Sequence, residues 1–450
     1  MEGVTSSGGK AGLTRREFVQ SATAAGLMMT MPAWARQTRP ARSDQLAVGI
    51  IGTGSQGQTL IKLCLKDLAD QVRFVAVCDI WPFWREYAAR LLARYEQPVS
   101  AYEDYREMLA SEKHLDAVII ATPDWVHAEQ TIACLRAGKH VYCEKEMSNT
   151  VAGARQMVEA ARQTGKLLQI GHQRRSNPRY WHALKMIDND RILGRITHAY
   201  GQWNRARLLE RGWPKGKELD AQTLRRYGYD SMNHLRNWRW YRKYGAGPIA
   251  DLGSHQIDIF NWFLHARPQA VLASAGVDYY ADKGVEWYDN VMAIYEYHTG
   301  AGPVRAFYQV LNTTSQGGYY EQFMGDEGAL VISDDPRVGH IFREVHAKRR
   351  DWEAEAAKVD QMGREAIELK IGETLTPEGT RTPEAQKLLE LAAKDSRTLH
   401  LANFFDAIRN GTPLNCPAKL AFETCVSVLK VNEAIVAARR LEYQPEEFVA

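Results

Sequence analysis

Leu46-Ala47-Val48-Gly49-Ile50-Ile51-Gly52-Thr53-Gly54-Ser55-Gln56-Gly57 decides the fold. An apolar run with strand character leads into glycines spaced G-x-G-x-x-G, and helical periodicity follows from Gln58 to Leu68. A dinucleotide-binding turn needs that order of strand, glycines and helix. Gly52 permits the tight turn, Gly54 lets the backbone approach a pyrophosphate, and Gly57 allows close helix–sheet packing. The helix that opens at Ser55 and Gln56 offers free N–H groups and a positive dipole end to phosphates. Asp79 follows the next apolar run, 22 residues after Gly57. A carboxylate there accepts hydrogen bonds from a ribose diol and repels a 2′-phosphate, so NAD is expected over NADP.

Outward from this turn, apolar runs alternate with helical segments. The runs are Ala47–Ile51, Val72–Cys78, Ala117–Ala121, His140–Cys143 and Leu167–Ile170; Trp84–Tyr95, Tyr102–Ala110, Val126–Ala137 and Val151–Thr164 have helical periodicity. Such alternation predicts a parallel sheet covered on both faces, a Rossmann domain over 45–170. From Arg191 the texture changes: Ile196–Tyr200, Ala270–Ala275, Val291–Tyr297, Arg305–Leu311 and Ala329–Ile332 read as strands with few helices between them. The fold class is therefore α/β. An N-terminal Rossmann dinucleotide-binding domain is followed over 171–450 by an α+β domain with an open, mostly antiparallel sheet. A loop-rich stretch from Trp203 to Tyr244 carries four tryptophans, and Glu344 to Lys394 reads as a charged, partly helical insertion. Leu399–Ile408 and Leu420–Arg439 are strongly helical and are expected to pack back on the first domain.

The chain has 450 residues, 57 basic against 54 acidic, for a net charge of +3. That balance makes no electrostatic case for nucleic acid or a membrane surface. The six cysteines form no CxxC pair and no Cys/His cluster with zinc spacing, so no metal site is expected. At the N-terminus, Thr14-Arg15-Arg16-Glu17-Phe18-Val19 is a twin-arginine pattern, followed by an apolar stretch from Ala22 to Met31 and then Pro32-Ala33-Trp34-Ala35. The stretch is too short to span a bilayer, and Ala33 and Ala35 fit a cleavage site. Residues 1–35 are thus expected to be a signal for the twin-arginine export machinery, 36–44 a tether, and the mature chain periplasmic or otherwise exported, with no membrane span. A nicotinamide enzyme outside the cytoplasm has no obvious dissolved cofactor pool, so tight retention of the cofactor is expected.

Ala121-Thr122-Pro123-Asp124-Trp125-Val126-His127, then Ala137-Gly138-Lys139-His140-Val141-Tyr142-Cys143-Glu144-Lys145, then Gly245-Ala246-Gly247-Pro248-Ile249-Ala250-Asp251-Leu252-Gly253-Ser254-His255 resemble the Gfo/Idh/MocA oxidoreductases, which include glucose–fructose oxidoreductase and inositol dehydrogenase. The resemblance covers nearly all of the chain after the export signal. It implies a homodimer or homotetramer, and a cofactor site completed by Thr122, Pro123, His127, Glu144 and Lys145. It further implies that Lys145 positions cofactor and substrate hydroxyl, while Asp251 and His255 form the catalytic pair. His255 then removes the hydroxyl proton, and Asp251 either orients the imidazole or binds a neighbouring sugar hydroxyl. Four residues apart, the two share a helix face if Pro248 opens a helix. The family usually has Glu-Lys-Pro where this chain has Glu144-Lys145-Glu146.

His172 and Arg174, beyond another strand edge, are candidates for the substrate pocket. Trp238, with Trp203, Trp240 and Tyr241, offers aromatic faces suited to sugar rings. The leading expectation is a sugar, polyol or glycoside oxidoreductase. The alternative is a glycoside hydrolase or lyase that uses NAD through a transient keto-sugar. Lys145, Asp251 and His255 together argue against a non-catalytic sugar-binding protein.

Overall fold

The computed structural model describes residues 45–206, 210–354, 356–361, 363–369 and 383–450. The twin-arginine segment, its cleavage site and the tether lie outside the described residues.

The first domain runs β1 (Leu46–Ile51), α1 (Ser55–Asp67), β2 (Val72–Cys78), α2 (Pro82–Arg94), β3 (Ser100–Tyr102), α3 (Tyr105–Ser111), β4 (Ala117–Ile120), α4 (Asp124–Arg136), β5 (His140–Cys143), α5 (Val151–Thr164) and β6 (Leu168–Ile170). The six strands are parallel, in the order β3-β2-β1-β4-β5-β6. Their Val/Ile-rich sequences follow from burial on both faces: all four residues of β4 are buried. The order reverses beside β1, so the C-terminal ends of β1 and β4 open a crevice where such sheets bind ligands. β3 is too short and too exposed to show as an apolar run.

After α6 (Pro178–Asp188), the second domain builds a ten-stranded sheet in the order β14-β15-β13-β12-β11-β7-β10-β9-β8-β16. β7 (Ile196–Asn204) is followed by the short helices α7 (Ala221–Arg226) and α8 (Met232–Arg236), then by α9 (Ser254–Phe263). β8 (Pro268–Gly276), β9 (Asn290–Thr299), β10 (Gly302–Leu311), β11 (Tyr319–Gly325), β12 (Gly328–Ile332) and β13 (Gly339–Arg343) follow. Only β7 and β10 pair in parallel, so the sheet is mixed but mostly antiparallel. Alternating burial along β9 and β10 turns one face to the helices and leaves Leu272, Met292 and Ile294 exposed on strands of the other.

Three expectations need correction. Trp203 belongs to β7, not to a loop-rich stretch, because that strand runs four residues past Tyr200. The segment from Glu344 is not simply a helical insertion. The hairpin β14 (Lys358–Gln361) and β15 (Arg364–Glu368) extends the sheet edge, and α10 (Pro383–Ala392) follows it. α6 and β11 were not anticipated: Pro178 at the start of α6 reads equally well as a turn, and polar Glu321 and Gln322 interrupt the apolar run of β11.

The chain then returns to the first domain. α11 (Ser396–Asn410) seats Leu401, Phe404 and Phe405 in the core with Val48, Ile50 and Tyr142, and α12 (Ala418–Ala437) packs along α5 and β8; β16 (Leu441–Glu442) closes the sheet. All six cysteines are free and buried, and no described helix is long and apolar enough to cross a membrane.

The turn after β1 has little slack. A Cβ on Gly57 would lie 2.1 Å from the Gly52 carbonyl oxygen. Gly57→Ala should therefore destabilise the protein by about 1–3 kcal/mol and weaken NAD binding. An unchanged urea midpoint would show that the turn accommodates a methyl group.

Candidate functional site

β1 delivers Gly52 with φ of +87°, where a Cβ would meet the Ala121 carbonyl carbon at 2.7 Å. Gly54 has open space where its Cβ would stand, and it caps α1 without any side-chain hydrogen bond. The first N–H groups of α1 are therefore left for an anion. Asp79 follows β2 and accepts from Thr53 N at 2.8 Å, Thr53 Oγ1 at 3.1 Å and Trp81 N at 2.9 Å. A carboxylate has roughly four acceptor sites, so one remains for a ribose hydroxyl. Burial raises the Asp79 pKa against the pull of those N–H donors.

These residues line a cavity of about 750 Å³, within the roughly 300–1,000 Å³ of small-molecule and cofactor sites. Gly52, Gly54, Ser55, Gln56, Asp79, Thr122, Pro123, Glu144 and Lys145 all face it, as do Trp238 and His255. The uncapped helix, the open Gly54 and the spare acceptor on Asp79 fit a dinucleotide. Gln56 Nε2 donates to Glu144 Oε1 at 2.9 Å, which ties the glycine turn to the end of β5.

Gly57 and His127 lie behind the wall. His127 is fully buried, with ring nitrogens 2.8 Å from both the Glu146 and the Thr122 carbonyl oxygens. It therefore braces the two loops that carry Lys145 and Thr122 and does not reach the cavity, which corrects its assignment as a cofactor contact.

Lys145 leaves β5 and reaches across the domain boundary. Its Nζ donates to the Asp251 carbonyl oxygen and stands 3.6 Å from Asp251 Oδ1. The same carboxylate accepts from Arg239 Nε at 2.9 Å and lies 3.6 Å from Arg205. Burial opposes its charge, yet Arg239, Lys145 and Arg205 hold the Asp251 carboxyl far below the ordinary carboxylate range.

Ile249–Gly253 form a π-turn before α9 begins, rather than one continuous α-helix from Pro248. Asp251 is thereby committed to the three cations and makes no hydrogen bond to His255, so it does not orient the imidazole. The His255 ring instead lies tilted against Trp203, centroids 5.6 Å apart, with His172 at 6.4 Å. Burial, then Lys145 and Arg174, drive the His255 pKa well below the usual value, so it is neutral at pH 7. Its Nδ1 and both nitrogens of His172 are buried without a protein partner. Burial also lowers His172 to about 4.

Arg174 does not enter the pocket. It is buried in an ion pair with Glu321, which also accepts from Tyr180 Oη at 2.7 Å. Its guanidinium sits behind Trp203, 5.7 Å from the ring centroid. A charge that the sequence places beside a strand edge is claimed by a carboxylate from β11, a strand the sequence did not reveal.

Asp124 is the functional candidate that sequence reading missed. It opens α4, lines the cavity and is buried; burial raises its pKa to about 7 although Lys145 and Arg239 oppose the shift. Arg205 and Arg239 were also missed. The only sequence signal was the density of arginine and tryptophan from Arg236 to Arg242.

Glu146 stands where the related motif has proline, and the Lys145–Glu146 peptide is cis. Its side chain is fully buried, with Oε1 accepting from Met147 N at 2.8 Å and Oε2 without a partner. Burial pushes its pKa up to about 8. An acid whose folded pKa exceeds its unfolded value, about 4.3, loses stability as pH rises between the two. Glu146→Gln keeps the acceptor and removes the ionisation. It should flatten the decline in stability from pH 5 to pH 8 and leave the variant more stable than the parent at pH 8. Parallel urea titrations at both pH values check this; equal slopes would mean Glu146 ionises freely. Asp124 contributes a decline of the same sign, so some slope should remain.

Two family models match the chain in tandem. Residues 46–172 match "Oxidoreductase family, NAD-binding Rossmann fold", and residues 180–331 match "GFO/IDH/MocA C-terminal domain". Among curated relatives, 1,5-anhydro-D-fructose reductase of Ensifer adhaerens is 30% identical over 230 residues, 50% of this chain and 59% of the reductase. Inositol 2-dehydrogenase of Salmonella paratyphi B is 34% identical over 148 residues, 33% of this chain and 43% of that enzyme. The chain thus spans about half the length of the curated relatives it matches. Levoglucosan dehydrogenase, solved with NADH and L-sorbose, shares the fold at a TM-score of 0.64 and 19% identity, covering 90% of this chain and all of that one. A glycine turn, a lysine after β5 and the two matched domains agree: the chain belongs to the Gfo/Idh/MocA oxidoreductase family.

Proposed function

We propose that this protein is an exported NAD-dependent oxidoreductase acting on a hydroxyl or keto group of a sugar, polyol or glycoside, with a cofactor retained through the reaction cycle. The observation that carries the reading is one cavity joining the glycine turn to Lys145 and a neutral, buried His255. Bound NAD supplies the hydride acceptor.

The chain's own groups handle the proton. His255 is in the form that accepts one, and the residue borders the cavity. Lys145 is held by Asp251 at the cavity wall, where its ammonium group favours negative charge on the substrate oxygen. Asp251 stays ionised and serves as the anchor for that lysine. Asp124, at about 7, is a second proton carrier beside Lys145.

Contacts across the domain boundary support the retention part of this reading. A third apolar cluster combines Trp81 and Trp125 of the first domain with Leu224, Tyr229, Met232 and Tyr244 of the second. Trp81 Nε1 donates to the Lys217 carbonyl oxygen at 2.6 Å, Trp125 Nε1 to Tyr229 Oη at 3.2 Å, and Arg226 pairs with Glu103. Trp81, Glu103, Trp125, Arg226 and Tyr229 also line the cavity, so these contacts form part of its rim. Contacts that hold this rim together support slow release of a bound dinucleotide.

The same closure suits the alternative, in which a transient keto-sugar leads to elimination or hydrolysis with no net redox change; Asp124 supplies an additional acid–base group for it. Purified mature protein, given sugars and glycosides without added cofactor, separates the two. Nicotinamide absorbance that rises and is reversed by a keto-sugar is expected. Cleaved glycoside without net reduction would establish the alternative, and neither signal would defeat both.

His255→Asn should lower kcat by about 10²–10⁴ while NAD affinity stays unchanged by fluorescence titration. The parent's acid limb in kcat/KM should lie below the ordinary histidine range, because the His255 pKa is depressed. An unaltered pH–rate profile in the variant would assign the base elsewhere.

A further inference from the structure

A second cavity, of about 220 Å³, opens beside Lys145 and His255. Its walls carry Arg205, Arg211, Arg236 and Arg239 besides Lys145, and among the described residues its only carboxylate is Asp251. That carboxylate is already shared by Arg239, Lys145 and Arg205. Arg211 makes no ion pair among the described residues. Among the described residues Arg236 donates to the Gly212 carbonyl oxygen, at 3.1 Å, and to no carboxylate, and it lies over the Trp81 ring. Five cations therefore face one carboxylate across a small, partly enclosed space.

We propose that the substrate of this site is an anionic sugar, whose carboxylate or phosphate group is received by Arg205, Arg211 and Arg239. The inference rests on reading the cavity as an oxidoreductase site and deepens that reading. Like charges crowded at low dielectric repel, and an anion placed among them removes the repulsion; a neutral hydroxyl does not. The crowding is visible at Arg211, where burial, then Arg239 and Arg236, push the guanidinium pKa below its usual value. Guanidinium forks match the two oxygens of a carboxylate or the oxygens of a phosphate. Trp240, Trp287 and Tyr288 supply apolar ring faces in the same cavity.

The cofactor's diphosphate does not account for the cluster. No glycine-turn residue lines this second cavity, and the diphosphate has its own partners at the start of α1. Arg211, Arg236 and Arg239 border both cavities, but Arg205 faces only the second.

The test is calorimetric titration of NAD-loaded protein with hexuronates, aldonates and hexose phosphates, each beside its neutral parent sugar. At least one anion should bind tenfold or more tightly than its parent, with the advantage shrinking as salt is raised. A preference for acid over phosphate assigns the carboxylate, and the reverse assigns the phosphate. Arg211→Gln should weaken anion binding about tenfold, and Arg211→Lys should recover part of it. The thermal midpoint and far-UV circular dichroism, measured on both variants, establish that they are folded. Neutral sugars binding as tightly as every anion, or an Arg211→Gln variant with unchanged anion affinity, would overturn the proposal. Turnover is read separately. Anion binding without reduction of bound NAD leaves this inference standing and removes the redox reading. Reduction by neutral sugars without preference does the opposite.

Discussion

The site depends on the contact between Lys145 and Asp251. Lys145 lies just past the C-terminal end of β5 in the nucleotide-binding sheet; Asp251 sits on the π-turn that begins the second domain's inner helix. Each alone is a costly buried charge; pairing offsets part of that cost, and Arg239 and Arg205 further stabilise the Asp251 carboxylate. The contact fixes the ammonium group between the two cavities, and it joins the NAD-binding domain to the C-terminal domain.

From that junction follows the electrostatic division of the site. Burial keeps the His255 imidazole neutral, helped by Lys145, one of the cations that keep Asp251 ionised, and by Arg174. Asp124 is left near its midpoint at neutral pH, because burial and two cations pull it in opposite directions. Permanent positive charge, a permanent carboxylate, a neutral imidazole and a titrating acid thus stand around two cavities that share Lys145 and His255. Their protonation states are set by neighbours from both domains, and no single element fixes any of them.

The closure over the cavity rests on a different kind of force. Trp81, Trp125, Tyr229 and Tyr244 bury large aromatic surfaces against one another across the domain boundary. Each polar handle then finds a partner, as with Trp81 and the Lys217 carbonyl oxygen. The tryptophans that read from sequence as sugar platforms divide between two tasks. Trp203 backs His255 and stacks on Tyr319, whereas Trp240 joins the closing cluster.

The sequence by itself determined the Rossmann sheet, the glycine turn and the lysine after β5. Each of these follows from local rules: apolar runs of strand length, glycines where a side chain would collide, and helix periodicity. His140–Cys143 and Val151–Thr164 have the same bounds in sequence and structure. The tertiary structure alone decided what each charged side chain meets. Arg174 is spent on Glu321, 147 residues away; Asp251 belongs to Arg239 and Lys145 and not to the histidine four residues on; His127 braces two loops. Charges and imidazoles carry no periodic signature, and their partners come from strands and turns that are far apart in the chain. Their roles become fixed only when packing removes water and leaves each group with the neighbours it has.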